Sequence, residues 1–495
     1  MTTTTATADT PPSSREFVKA LTLTDATMLV AGSMIGSGIF IVSADIGRTV
    51  GSPFWLLMAW IVAGVVTMLG ALAYGELAAM FPRAGGQYVF LRESMGSLMG
   101  FLYGWTLFIV IQTGTIAAVA VAFGRFLGVL WPGITPDRYG WFPQFNLTTP
   151  GGPIELGLSP QRLIALATIW ILTWVNLRGI KEGKLVQTTL TVIKTGALAA
   201  IILLGFTIGR HTEAIAANFS NGNFNNVAFG SAFLIAFGSA LVGSLFASDA
   251  WNNVTFAAAE VHSPQRNLPR ALILGTGLVS LLYILANVSY LNVLPLHGVR
   301  DAGTVLERGI QYATQDRVAS AVAETIFGAV GATIMAAAIL ISTFGCNNGL
   351  ILSGARVYYA MARDRLFFVK AGTLNRNSVP AFALIAQSVW TSVLCLTGTY
   401  GQLLDYVIFA ALIFYALTTV GLFRLRKLRP DAERPYRALG YPVLPGLYII
   451  LASAIAVILL IADKTRAQAI SGLVIVLLGV PVYFLWRRVE GAPAR

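Results

Sequence analysis

Seven residues near the start of the chain, Gly32-Ser33-Met34-Ile35-Gly36-Ser37-Gly38, offer binding chemistry without a charged side chain. They interrupt an otherwise apolar run, and each glycine weakens a helix by about 1 kcal/mol relative to alanine. If the helix unwinds there, the N–H groups of Gly36, Ser37 and Gly38 open a second half-helix. Its dipole favours an anion such as a carboxylate. Carbonyls freed at the end of the first half-helix, Met34 and Ile35 among them, suit an ammonium. On an intact helix, Gly32 and Gly36 would instead form a small-residue packing face.

A second interruption lies far downstream, in Ser244-Leu245-Phe246-Ala247-Ser248-Asp249-Ala250-Trp251-Asn252-Asn253. A carboxylate and two amides inside an apolar run are expensive in lipid, so they must face protein or water. Paired breaks in corresponding places point to an inverted-repeat transporter whose site lies where two discontinuous helices cross. A zwitterionic amino acid fits such a pair. Its carboxylate would take the N–H groups of residues 36–38, and its ammonium the carbonyls of Met34, Phe246 and Ala247. Asp249 and Asn252 would complete the lining, and bulky Phe246 would close over the substrate as a gate.

Lys194 is a further chemical group inside an apolar run, Leu190-Thr191-Val192-Ile193-Lys194-Thr195. It either snorkels to the headgroups or holds a fixed ammonium between helices, in place of a bound sodium ion. Ser342, Thr343, Asn347 and Asn348 are its candidate oxygen partners. Whether Lys194 exchanges its proton stays open at this level.

These groups must be positioned by membrane helices. The 495 residues are 56% hydrophobic and 11% charged, against about 25% charged in ordinary soluble domains. About twelve apolar spans are predicted, near 24–49, 54–80, 97–128, 161–177, 186–208, 228–259, 271–295, 321–355, 380–398, 402–423, 441–462 and 468–486. The chain is therefore an all-α polytopic membrane protein with discontinuous first and sixth spans. The first ten would form a five-plus-five inverted repeat over 21–430, followed by two further helices over 431–487. Residues 1–20 and 488–495 are expected to be tails, the first too polar for a signal peptide. More than twenty basic residues fall in loops on the termini's side and eight on the other, which puts both termini in the cytoplasm. The net charge of +12 is thus topological and does not indicate nucleic-acid binding. No metal-ligand spacing, nucleophile–base set or cofactor motif occurs in the spans, so no enzyme, metal site or cofactor is expected. The polar residues cluster at two breaks and do not line a continuous pore, which argues against a channel.

Four stretches resemble the amino acid–polyamine–organocation superfamily, with most similarity to the L-type amino acid transporter branch and its bacterial relatives. They are Gly36-Ser37-Gly38-Ile39-Phe40; Tyr74-Gly75-Glu76-Leu77 with Pro82–Tyr88; Phe246-Ala247 with Trp251-Asn252, Glu260-Val261 and Pro264–Arg270; and Phe344–Gly349. The resemblance implies a LeuT-like fold in which helices 1, 2, 6 and 7 rock against a scaffold. It also implies a Phe246 gate, and Lys194 where sodium-coupled relatives hold their ion. Sodium-independent alternating access in the cell membrane follows, for neutral L-amino acids, by exchange or proton coupling. Asp249 departs from the small residue expected in the sixth span; facing the site it would favour a cationic amino acid or a polyamine, and turned away it would only hydrogen-bond the broken helix. Asn252 matches neutral-substrate members. A sensor that binds without transporting would use the same site. Cys346 and Cys395 both lie in spans, so no disulfide-linked single-span ancillary subunit is expected, while the oligomeric state is left open.

Overall fold

A computed structural model describes residues 16–490 except 138–144, 150–151, 221, 223, 226, 228–229 and 398–399. Residues 1–15 and 491–495 of the two expected tails lie outside the described residues.

Helix α1 (Leu23–Met34) starts at a capping box. The Asp25 N–H donates to the Thr22 hydroxyl, and the Asp25 carboxylate accepts from the Thr22 N–H. The helix stops at Met34 and resumes as α2 (Gly38–Ile41) and α3 (Ser43–Val50). Next comes α4 (Pro53–Met80), whose proline sits in the first turn where its missing N–H costs nothing. After α5 (Gln87–Met95), α6 (Ser97–Thr106) and α7 (Gln112–Leu130) form one long helix through a π-helical turn at Leu107–Ile111. A small antiparallel hairpin, β1 (Phe145–Thr149) with β2 (Gly152–Leu156), is an addition to the expected all-helical body.

The chain continues with α8 (Pro160–Leu177), α9 (Ile180–Phe206) and α10 (Thr212–Phe219). The second broken element is α11 (Ser231–Ala247) followed by α12 (Asn253–Phe256). Then come α13 (Pro264–Val293), α14 (Val305–Arg308), α15 (Val318–Arg363) and α16 (Ala381–Thr397). The last three are α17 (Tyr400–Leu428), α18 (Val443–Ile461) and α19 (Arg466–Glu490). Each predicted span meets a helix or a pair of half-helices. Among the described residues, nine helical segments are long and apolar enough to cross a membrane, and α11 and α16 are shorter apolar helices. Helix α15 outruns its predicted end at 355, because Arg356 is buried in an ion pair and its last turns stay packed.

α1 packs against α9, α13 and α15, so the first break is enclosed by protein; α11 packs against α3 and α4. One face of the molecule is tied by segments outside the long helices. The Ala20 and Leu21 N–H groups both donate to the Glu260 carbonyl at 2.9 Å, and the His262 N–H donates back to Leu21 at 2.8 Å. Lys184 holds this strap by the Ala20 carbonyl at 2.9 Å and by Asp25 at 2.6 Å. Beneath it, Arg356 donates to both oxygens of Glu260 at 3.0 Å, with both side chains 1% exposed. On α5, Glu93 accepts from Arg92 and from Arg429, each at 2.9 Å. Burial works to raise the Glu93 carboxyl, but the two guanidinium groups outweigh it and hold it below the ordinary glutamate value. This tie is complete at neutral pH and is lost as the pH falls through that lowered value.

Arg356→Met would leave the Glu260 carboxylate buried and unpaired, costing about 3–5 kcal/mol. A marked fall in melting temperature is expected, largely recovered when Glu260→Gln is added. Thermal melts of the purified variants test this; equal loss in the single and double variants would refute it.

Candidate functional site

The two breaks meet. A methyl group on Gly38 would stand 2.6 Å from Ala247 Cβ and 2.8 Å from its Cα, so this approach requires glycine. One on Gly36 would stand 3.0 Å from the sulfur of Cys346 on α15. At the first break, α1 makes its last bond from the Ile35 N–H to Ala31, and α2 restarts with Phe40 bonded to Ser37. The N–H groups of residues 36–38 therefore open the first turn of α2, where a helix offers no acceptor of its own. The intact-helix alternative for Gly32 and Gly36 is thus replaced by a true interruption. At the second break, Asp249 N–H donates to Phe246 at 3.1 Å. Ala250 follows at φ +62°, a left-handed conformation strained for alanine. Phe246 is buried in the last turn of α11.

Lys194 reaches the first break and is fully buried. Its ammonium donates to the carbonyls of Gly32 at 2.5 Å, Ile35 at 2.7 Å and Ser342 at 3.4 Å. It therefore caps the C-terminal end of α1, where the dipole favours a cation. Of the four candidate oxygen partners, Ser342 meets the ammonium, through its main-chain carbonyl. The Ser342 hydroxyl turns instead to the Ile35 and Gly36 carbonyls, both at 3.2 Å. Thr343 bonds back to Ile339 and Leu340 of its own helix. Asn347, with its amide oriented to satisfy both ends, spans Ile116 and Ala120 at 3.2 Å. Asn348 donates to Gly183 and Gln187. The physical reason is that the broken helix supplies carbonyls that no N–H can reach, and the ammonium is drawn to them.

A residue without a sequence signal joins the two breaks. The Tyr283 hydroxyl, on α13, lies 2.9 Å from the Met34 carbonyl and 3.0 Å from the Ala247 carbonyl. These are two of the oxygens expected to meet an ammonium. Asp249 points toward α17, where the Tyr415 hydroxyl donates to it at 2.5 Å. Asn252 donates to Gln87 at 2.7 Å, and Gln87 passes the chain on to Thr418 at 3.0 Å. Asp249 borders two small cavities. One, of about 10 Å³, is also lined by Tyr103, Gln112, Thr115 and Asn253. The other, of about 20 Å³, is lined by Thr67, Ser248, Trp251 and Tyr448. Each has room for about one water, so a larger ligand needs the helices to move apart. Neither Tyr283 nor Tyr415 stands out in sequence, since a tyrosine in an apolar span reads as packing.

The family model described as amino acid permease matches residues 21–484. The chain is 31% identical over 469 residues to the mouse protein named large neutral amino acids transporter small subunit 2 (Mus musculus), covering 94% of this chain and 81% of that one. It is 29% identical over 474 residues to the serine/threonine exchanger SteT of Bacillus subtilis (strain 168), covering 94% and 96%. It is 28% identical over 484 residues to the human b(0,+)-type amino acid transporter 1 (Homo sapiens), covering 96% and 89%.

Lys194→Met and Tyr283→Phe are each expected to lower the melting temperature. The first removes the donor from the Gly32 carbonyl, since Ile35 keeps the Ser342 hydroxyl, and the second removes a hydroxyl shared by two carbonyls, at about 1–3 kcal/mol per orphaned group. Unchanged melting in both variants would mean that these carbonyls do not depend on side-chain donors.

Proposed function

The chain belongs to the amino acid permease family, and from that premise we propose that it is a sodium-independent carrier of neutral L-amino acids. It would work by alternating access, as an exchanger or with proton coupling. The observation that carries this is the meeting of two broken helices at Gly38 and Ala247, in a chain matched by the family along residues 21–484. The substrate carboxylate is assigned to the N–H groups of Gly36, Ser37 and Gly38. Its ammonium goes to the carbonyls of Met34, Phe246 and Ala247, with Tyr283 giving up the first and last of these as the substrate binds. Phe246 is assigned as the gate, and Asp249 and Asn252 face the substrate's side-chain end. The Lys194 ammonium on the Gly32 and Ile35 carbonyls supplies a fixed positive charge at the end of α1, which supports the reading that no sodium ion is needed there.

We place both termini in the cytoplasm and the protein in the cell membrane, on the charge asymmetry of the loops. We divide the chain as a ten-helix core over 21–430 and two added helices over 431–487. The mouse relative is by its name a small subunit. In this chain both cysteines are buried, which supports function without a disulfide-linked partner. One observation favours a second substrate class. Asp249 is 6% exposed, and its side chain accepts a bond from Tyr415 but makes no ion pair among the described residues. A cationic amino acid or a polyamine would supply the missing charge.

Uptake into sodium-free proteoliposomes, with and without unlabelled amino acid inside, tests these readings using labelled alanine, leucine and arginine. Alanine or leucine uptake that depends on preloading is the expected result and supports neutral exchange. Uptake driven by an inward proton gradient alone would mark proton coupling. Uptake confined to arginine, and lost in Asp249→Asn, would move the cationic reading to the front. No saturable flux of any of the three would overturn the amino-acid carrier reading in favour of polyamine transport or of sensing without transport.

A further inference from the structure

Helix α9 carries Lys184, Gln187, Thr188, Thr191 and Lys194 at intervals of three or four, which places them on one face. Leu185, Val192 and Ile193 are exposed on the other. The polar face runs along the seam with α1. Lys184 and Asp25 close it at the strap, and Lys194 ends it at the first break.

Gln187 stands midway, and two glycines make room for it. A methyl on Gly32 would lie 2.1 Å from its Nε2 and 2.3 Å from the Thr191 hydroxyl; one on Gly349 would lie 2.9 Å from Nε2 and 2.7 Å from the Ser33 hydroxyl. The Gln187 amide thus fills a slot between α1 and α15. Its oxygen accepts from Asn348 at 3.2 Å. Gln187 Nε2 and Ser33 Oγ, however, have no protein partner, although the two residues are only 2% and 3% exposed. Two buried polar atoms turned to one place are costly unless something bonds them. A donor amide, a serine hydroxyl and the nearby Thr191 hydroxyl are the set of partners that a buried water takes.

We propose that water enters this junction only as α1 tilts away from α9, and that Ser33 and Gln187 are positioning residues for that tilt. The proposal rests on the alternating-access reading given above. As α1 leaves α9, water from the strap side reaches both atoms along the polar face and bonds them. The seam is built to be wetted, so opening it replaces unmet bonds with met ones. An apolar seam of the same shape would close more firmly and open more slowly.

Ser33→Ala isolates the effect, because it deletes an atom that has no protein partner in the closed seam. The closed form loses nothing, while the open form loses a hydrated hydroxyl. Hydrogen–deuterium exchange of residues 23–34 in the reconstituted protein is expected to slow by about tenfold, equivalent to 1.4 kcal/mol. The rate of alanine exchange should fall in parallel, with KM changed by less than about twofold. Gln187→Met, of similar volume, should act in the same direction, since Asn348 keeps its bond to Gly183 at 3.0 Å. Unchanged or faster deuterium exchange in both variants would overturn the proposal and leave a packing role. If the wild-type protein shows no flux, the carrier reading falls, and the deuterium measurement still decides the behaviour of the seam.

Discussion

A helix that ends inside lipid leaves carbonyls and N–H groups that water cannot reach. The structure around the first break is organised by that constraint. Lys194 comes from α9 to the carbonyls of Gly32 and Ile35. Ser342 comes from α15 to Ile35 and Gly36, and Cys346 from the same helix to Ser33. Tyr283 comes from α13 to Met34. Three helices thus hold one gap open, and they are the three that enclose α1. Removing the gap would remove the reason for each of these polar groups to be buried.

Both breaks were legible in the sequence because their signals are local. Glycines spaced through an apolar run, and an aspartate with two asparagines inside another, contradict an unbroken span. Lys194 was legible for the same reason. Its partners were not, because they are main-chain atoms on other helices, and a sequence does not mark which carbonyls a break will free. Thr343 illustrates the limit. Its hydroxyl is a reasonable oxygen for Lys194, yet it bonds the carbonyls one turn back on its own helix. Tyr415 and Asp249 are 166 positions apart, and nothing local in either announces the other. The hairpin after α7 lies between two predicted spans, where no apolar periodicity marks it.

The strap face adds a second level of order. Glu260 takes part twice, through its carbonyl to Ala20 and Leu21 and through its carboxylate to Arg356. The start of the chain, the exit of the second broken helix and the end of α15 are therefore joined at one residue. Lys184 adds α9 to the same cluster. Any tilt of the N-terminal end of α1 must work against these bonds.

The approach of Gly38 to Ala247 carries a consequence for how such a chain diversifies. Main-chain amides and carbonyls are common to every amino acid sequence, so a cradle made of them tolerates extensive substitution provided the glycine contact survives. On the assignment proposed above, the part of a ligand held by that cradle is the part all α-amino acids share. On the same assignment, discrimination would fall to separate side chains such as Asp249 and its neighbours, which could change without disturbing the grip. One scaffold with about 30% identity to its relatives can in this way keep its handle and change its cargo.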